Sequence, residues 1–293
     1  MMKKWQNGLA ENYSNAYIRN IYGLFQKSLD LAVKLGLLNK NVAKQVGNVK
    51  KQKKKIDFWT QKEFEKVIST FDISDYYEHY TFIIIWLLFM TGLRLGEAQA
   101  LEWTDINFED KTLTVSKSMY YKSANEFYVT EPKTRAGNRT IALDDVTISY
   151  LAEWKSVQGR NVVSKYVLSY NGLPTNKSTT KHIIERHSKL AGVHTIKTHA
   201  LRHSHASLLI SLGENAIVVR DRLGHEDVET TLGTYGHLYP NTNKEVAKKL
   251  NNLISIQKDD TIKRNFISNQ FVKNRQSGCN NISLDCEEKE WDS

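Results

Sequence analysis

Apolar positions recur along this chain at two different periods, and the change of period locates the elements. Over residues 13–46, Tyr17, Ile21, Leu24, Phe25, Leu29, Leu31 and Ala32 recur near helical spacing, and the pattern slows at Leu35-Gly36. A shorter piece follows around Asn41 to Val46, so two helices are predicted there. Thr60 with Glu63 three residues on, ahead of Phe64, Val67 and Ile68, has the form of a capping box that opens a helix. Tyr77 to Met90 is apolar nearly all round, which predicts a buried central helix ended by Thr91-Gly92. A short helix then runs from the Leu93–Glu97 break through Leu101.

From Thr112 to Leu143 the period falls to two. Leu113 and Val115, Phe127 and Val129, and Thr140-Ile141-Ala142 predict three strands of one antiparallel sheet, with Glu131–Arg139 as a turn-rich hairpin tip exposing Lys133. Helical spacing returns over 146–158 and 178–191, from near His199 to Leu212, over Ala216–Leu223 with Gly224 as its cap, and over Glu245–Ile254. Beyond about residue 257 the chain is polar and aperiodic, the pattern of a disordered or partner-dependent tail. The class expected is α+β, mainly helical, with a small antiparallel β-sheet.

Composition narrows the setting. A chain of 293 residues with 40% apolar and 10% aromatic side chains is globular and long enough for a real core. Its longest apolar run, Phe82 to Met90, is far short of the ~20 residues a membrane span needs, and nothing after Lys3-Lys4 resembles a signal peptide. The two cysteines, Cys279 and Cys286, both sit in the polar tail, so no disulfide framework is implied and a reducing cytoplasm is expected. The net charge of +9 is an N-terminal property: residues 1–57 hold twelve Lys/Arg against three Asp/Glu, whereas residues 251–293 hold six against seven. Within that stretch Lys50, Lys51, Lys53, Lys54 and Lys55 form a basic linker over 50–57. It reads either as a solvated spacer or as a phosphate-tracking segment between two modules.

The chemistry concentrates between His199 and Tyr239. His199 and Arg202 lie three residues apart, on a helix face opposite Leu201, Leu208 and Leu212; His225 and Tyr235 follow. Arg94 stands at the break after the central helix, where its local partner is Glu97 at i+3. Attack on a phosphodiester without metal needs an oxygen nucleophile, a base for its proton, an acid for the leaving oxygen, and cations on the non-bridging oxygens. Tyr235, the histidines, Lys133, and the pair Arg94 and Arg202 supply each of these groups. Tyr239 is a rival nucleophile set against Pro240. His199, His203 and His205 would suggest a metal, but Ala200-Leu201-Arg202 intervenes where a metal-hydrolase helix carries a glutamate. No metal is expected, and His203, His205 and His237 are read as supporting or packing residues.

TGLRLGEAQAL around Arg94, PKTRAGNRTI around Lys133, THALRHSHASLL around His199 and Arg202, LGH at His225 and TTLGTYGHL around Tyr235 together resemble the phage-integrase or tyrosine recombinase family. The resemblance is nearest to integrases of Gram-positive phages and integrative conjugative elements. It implies a tyrosine-recombinase catalytic domain over 58–256, preceded over 1–49 by a partial, N-terminally truncated helical core-binding (SAM-like) domain, with 257–293 as a tail. In the family's terms Tyr235 attacks the scissile phosphate to form a 3′-phosphotyrosine and free a 5′-hydroxyl. Arg94 and Arg202 clamp the phosphate, Lys133 is general acid, His199 relays the tyrosine proton and His225 hydrogen-bonds the phosphate. Neither ATP, metal nor another cofactor is implied. The partners implied are double-stranded DNA in the bacterial nucleoid, three further copies in a homotetramer, and a possible directionality factor. The shortened N-terminus leaves a second reading open, a catalytically idle DNA-binding remnant that occupies sites or interferes with full-length integrase.

Overall fold

Three helices open the chain: α1 (Met2–Asn12), α2 (Asn15–Lys34) and α3 (Val42–Val46). They belong to a computed structural model that describes residues 2–50, 56–122, 126–132, 134–239, 247, 248, 250 and 251. α1 carries too few apolar positions to show a period, and its one buried residue is Gln6, which donates to Gly47 O at 2.9 Å. Ser14 caps α2 by accepting from Tyr17 N, and Gly36 turns the chain at φ 74° just past its end. Asn41 caps α3 through a 2.9 Å bond from Ala43 N, and its amide donates back to Gln26 O of α2 at 2.9 Å. The inward face of α2 is Ile18 and Tyr22, whose hydroxyl donates to Ala43 O at 2.9 Å. Tyr17, Leu24, Phe25 and Leu31 are exposed, so the apolar period marks the helix correctly but only part of it is covered. Two short neighbours can bury one flank of a twenty-residue helix, not its whole circumference. Lys50 is exposed at the end of this segment, and Lys51, Lys53, Lys54 and Lys55 lie outside the described residues.

The chain resumes with Trp59, which is buried and tied by its backbone N–H to Ser204 Oγ at 2.9 Å and by its indole N–H to His194 O at 2.8 Å. The capping box follows as the pattern predicts: Glu63 accepts from Thr60 N at 2.8 Å, and Thr60 Oγ1 accepts from Glu63 N, opening α4 (Gln61–Ile68). α5 (Tyr76–Thr91) is buried over most of its circumference, so its sequence shows no polar stripe. α4, α7 (Asp145–Asn161), α8 (Lys177–Ala191) and α9 (Ala200–Ser211) wrap this helix and share its core.

Between α6 (Leu95–Ala100) and α7 lie five strands: β1 (Ile106–Asn107), β2 (Thr112–Val115), β3 (Ser118–Tyr121), β4 (Phe127–Thr130) and β5 (Arg139–Ala142). Pairing is antiparallel throughout, but among the described residues the strands form two sheets rather than one. β2 sits between β1 and β5, with Leu113 opposite Ile141, while β3 and β4 make a separate ribbon with Tyr121 opposite Phe127. Phe127–Thr130 is therefore no neighbour of Arg139–Ala142, and Glu131–Asn138 crosses between sheets instead of tipping a hairpin; Lys133 itself lies outside the described residues. Partner choice depends on long-range packing that period-two alternation does not encode.

α10 (Ala216–Leu223) and α11 (Val228–Tyr235) complete this unit, which runs to Tyr239. α11, too short and polar to show a period, was not expected. Leu212, expected in the core, is exposed because α9 ends at Ser211. Of the later residues the four described are exposed, so the predicted helix over Glu245–Ile254 and the tail fall almost wholly outside the described residues. No described helix is long and apolar enough to cross a membrane.

Gly92, at the C-terminal cap of α5, has φ 65°, and a Cβ there would lie 2.6 Å from the His205 ring and 2.7 Å from Leu223 Cδ2. Gly92→Ala combines left-handed backbone strain with overpacking and should cost about 2–4 kcal/mol. Thermal unfolding should show the midpoint lowered by roughly 4–16 °C; an unchanged midpoint would mean the cap relaxes freely.

Candidate active site

Two glycine-capped helix ends build the centre of the site. A helix leaves its last carbonyls without intrahelical partners and carries partial negative charge there. Arg202, on the first turn of α9 and 2% exposed, donates from Nη1 to Gly92 O (2.8 Å) at the end of α5 and from Nη2 to Leu223 O (2.6 Å) at the end of α10. Arg94 donates from Nη2 to the next carbonyl, Gly224 O, at 3.2 Å. Consecutive carbonyls of one turn thus hold both guanidiniums, which the sequence separates by more than a hundred residues. Gly224 has φ 67°, and a Cβ there would meet Ala136 O at 2.7 Å, so this turn also needs glycine. Burial, then the neighbouring Arg94 charge, pushes Arg202 down to about 9, and it stays cationic at neutral pH. The Arg94 side chain is 42% exposed, so the pair opens to solvent on the Arg94 side.

Glu97 fixes Arg94. It accepts from the Arg94 backbone N–H at 3.0 Å and forms a 2.7 Å ion pair with Nη1, the i+3 contact expected from local sequence. Its other oxygen also meets Arg139 Nη2 at 3.0 Å. Burial alone would raise the Glu97 carboxyl, but Arg139 and Arg94 outweigh it and hold the group below the usual carboxylate range. Arg139 continues to Arg222 O at 2.9 Å and Gly137 O at 3.2 Å, joining the start of β5 to the α10 turn. Arg222 donates to His205 Nε2 at 3.1 Å, Ala142 O at 3.1 Å and Met90 O at 3.3 Å. No local pattern marks Arg139 and Arg222 for this part, since their partners lie from 2 to 132 residues away.

The histidines and the tyrosine lie around Arg202. His199 is the N-cap residue of α9; protein packed about its ring, then the Arg202 and Arg94 charges, lowers its pKa. His225 Nδ1 meets Thr231 Oγ1 at 2.9 Å, and burial followed by Arg202, Arg94 and Arg139 holds it at about 4. Tyr235 closes α11 and is 1% exposed. Burial pushes its hydroxyl up to about 12 against the opposing pull of Arg202. The hydroxyl lies 2.7 Å from His203 Nδ1, and His203 in turn packs edge-on against His199 with ring centroids 4.9 Å apart. Burial, His199 and Arg202 hold His203 at about 4.

Arg94, His199, Arg202, His225 and Tyr235 therefore meet at one place, and Lys133 lies outside the described residues. His203 is more than a packing residue: it is the direct partner of the Tyr235 hydroxyl. Its place four residues after His199 put it on that same helix face, and that was the signal available. His205 is buried in support of Arg222, as expected, whereas His237 is exposed on the turn after Tyr235. The Tyr239 hydroxyl is buried and has no hydrogen-bond partner among the described residues. No group of three metal-binding side chains is placed to hold an ion among those residues.

Comparison with known proteins fits this arrangement. The ICEBs1 integrase of Bacillus subtilis is 35% identical over 249 residues, 82% of this chain and 67% of that protein. The integrase of Staphylococcus phage L54a is 24% identical over 281 residues, 86% of this chain and 79% of that one. In fold, the Tn1549 transposon integrase in complex with a circular intermediate DNA aligns at TM-score 0.69 with 22% identity, over 86% of this chain and 84% of the other. Helices around two small antiparallel sheets are the fold of tyrosine-type site-specific DNA recombinases. Residues 57–242 match the phage integrase family, and the chain belongs to it.

The buried histidines give stability a pH dependence. His203 and His225 are held at about 4, His187 at about 4 and His205 at about 3, all below the ordinary 6.5. Between those values the unfolded chain binds protons that the folded one does not, so stability is complete above 6.5 and falls as pH drops toward 4. The slope is at most about 1.4 kcal/mol per pH unit for each group. The lowered Glu97 adds its own loss only below its ordinary 4.5. The unfolding midpoint should drop by several degrees between pH 7.5 and 5.5; a flat profile would contradict neutral, buried imidazoles.

Proposed function

We propose that this chain cuts and rejoins double-stranded DNA through a covalent 3′-phosphotyrosine, for integration or excision of a mobile element. The observation that carries the reading is the convergence of Arg94 and Arg202 on the Leu223–Gly224 turn, beside Tyr235. A phosphate reaching the exposed side of Arg94 would meet forked donors that stay charged throughout. Attack by the Tyr235 oxygen forms an O–P bond as the bond to the 5′ oxygen breaks, with Lys133 as the source of that oxygen's proton. His225 would steady a non-bridging oxygen. The covalent link conserves the bond energy, so rejoining is the reverse attack by a 5′-hydroxyl. In this reading residues 1–49 belong to a core-binding domain, 50–57 to a basic linker that follows the backbone, 58–256 to the catalytic domain and 257–293 to a tail. Four protomers would act together on two sites, with a directionality factor as a further partner.

The burial of Tyr235 favours a second reading, an idle remnant that binds DNA without cutting it. Attack requires a phosphate to reach the hydroxyl, so α11 has to shift enough to open a path to Tyr235 while His203 stays beside it. α11 is an eight-residue helix whose buried residues are Thr231 and Tyr235, while Leu232 is exposed, so little apolar surface holds it in place.

A duplex nicked beside the cleavage point traps any covalent intermediate. The wild-type chain should give a denaturant-resistant adduct and Tyr235→Phe none, with binding retained. Arg94→Ala should slow adduct formation by about 10²–10³-fold. Binding without an adduct in the wild type would establish the idle reading instead.

A further inference from the structure

The polar partner of the Tyr235 hydroxyl is His203, not the histidine that the family pattern assigns to the proton. We propose that His203 is the group that takes the tyrosine proton as the phenol oxygen attacks, a catalytic role additional to those of the six motif residues. The inference rests on the phosphotyrosine reading above.

Geometry carries the assignment. His203 follows Arg202 on the first turn and a half of α9, so its ring stands beside the phosphate clamp and points at the end of α11. Its Nδ1 is 2.7 Å from the Tyr235 oxygen, within the distance a proton crosses directly, and the two rings lie 5.6 Å apart at 64°. In the tautomer that carries its hydrogen on Nε2, the one this proton transfer requires, His203 accepts at Nδ1 and Tyr235 donates. His199, the alternative base, is one ring further out: it packs edge-on against His203. His225 is committed elsewhere, to Thr231.

The charges that face His203 explain why the pair is silent without DNA. Burial, then His199 and Arg202, disfavours a second cation, so the imidazole is neutral. Burial also keeps the phenol protonated, against the pull of Arg202. A phosphate diester seated on Arg94 and Arg202 brings a negative charge to this cluster and offsets the field that opposes imidazolium. His203 then becomes more basic at the moment its proton is due, closer to the operating pH where general-base catalysis works best. The step balances. The O–H bond of Tyr235 breaks as O–P forms, the proton passes to Nδ1, the P–O5′ bond breaks, and the leaving oxygen takes its proton from the Lys133 ammonium. The reverse reaction returns both protons.

The test is single-turnover adduct formation on the nicked duplex, using the full chain with His203→Asn, His203→Ala and His199→Ala, each checked for unchanged unfolding midpoint and DNA binding. Asparagine can keep an acceptor near the Nδ1 position but cannot become a cation. Both His203 variants should therefore form adduct about 10²-fold or more slowly. Added imidazole should restore part of the rate in His203→Ala, rising with the neutral fraction of the buffer base, and should do nothing for His203→Asn. Near wild-type rates in His203→Asn would reduce the residue to a hydrogen-bonding support and overturn the proposal. So would imidazole rescue confined to His199→Ala. No adduct in the wild type at all would overturn the phosphotyrosine reading, and this inference with it.

Discussion

A buried guanidinium is the constraint on which the catalytic domain depends. Among the described residues Arg202 pairs with no carboxylate; it is held by the terminal carbonyls of two helices, α5 and α10. Charge removed from water is costly unless its donors are satisfied, and helix C-termini supply oxygens that otherwise lack partners and lie in a favourable field. The same bonds fix how α5, α9 and α10 meet. The ends of both capped helices need left-handed glycine, at Gly92 and Gly224, so that the carbonyls can turn toward the arginine. On the proposed reading, stability and phosphate affinity share these atoms.

Around that charge the protein keeps its titratable groups quiet. Arg94 shares Glu97 with Arg139, which leaves one carboxylate among three guanidiniums if Arg202 is included. The cluster is therefore short of negative charge, and burial first, then that charge, keeps the histidines near it neutral. That deficit is what a phosphate would satisfy in the proposed reaction. The electrostatic state of the DNA-free protein is thus set up for an anion, with bases whose protonation is suppressed by the same field that attracts it.

Much of this was legible in the residues, for local reasons. The capping box at Thr60, the all-round apolar α5 and the Gly224 stop after α10 are each specified within a few residues of sequence. The arginines and Tyr235 could be placed because their motifs are short and dense. What could not be read depends on long-range pairing. β2 chooses β5 over the intervening ribbon, Arg139 and Arg222 act on carbonyls far away in sequence, and the exposed flank of α2 follows from how few neighbours it has. His203 was visible on the right helix face, yet only the approach of α11 shows which hydroxyl it serves.

The shape of α11 ties two properties that are usually separate. On the proposed reading Tyr235 is both the reactive side chain and one of the two buried residues that dock this helix. Nothing can expose the phenol without also loosening the helix's grip, because the anchor and the warhead are one ring. The nucleophile is in this way guarded by its own packing, and release of the segment and arming of the enzyme become a single event.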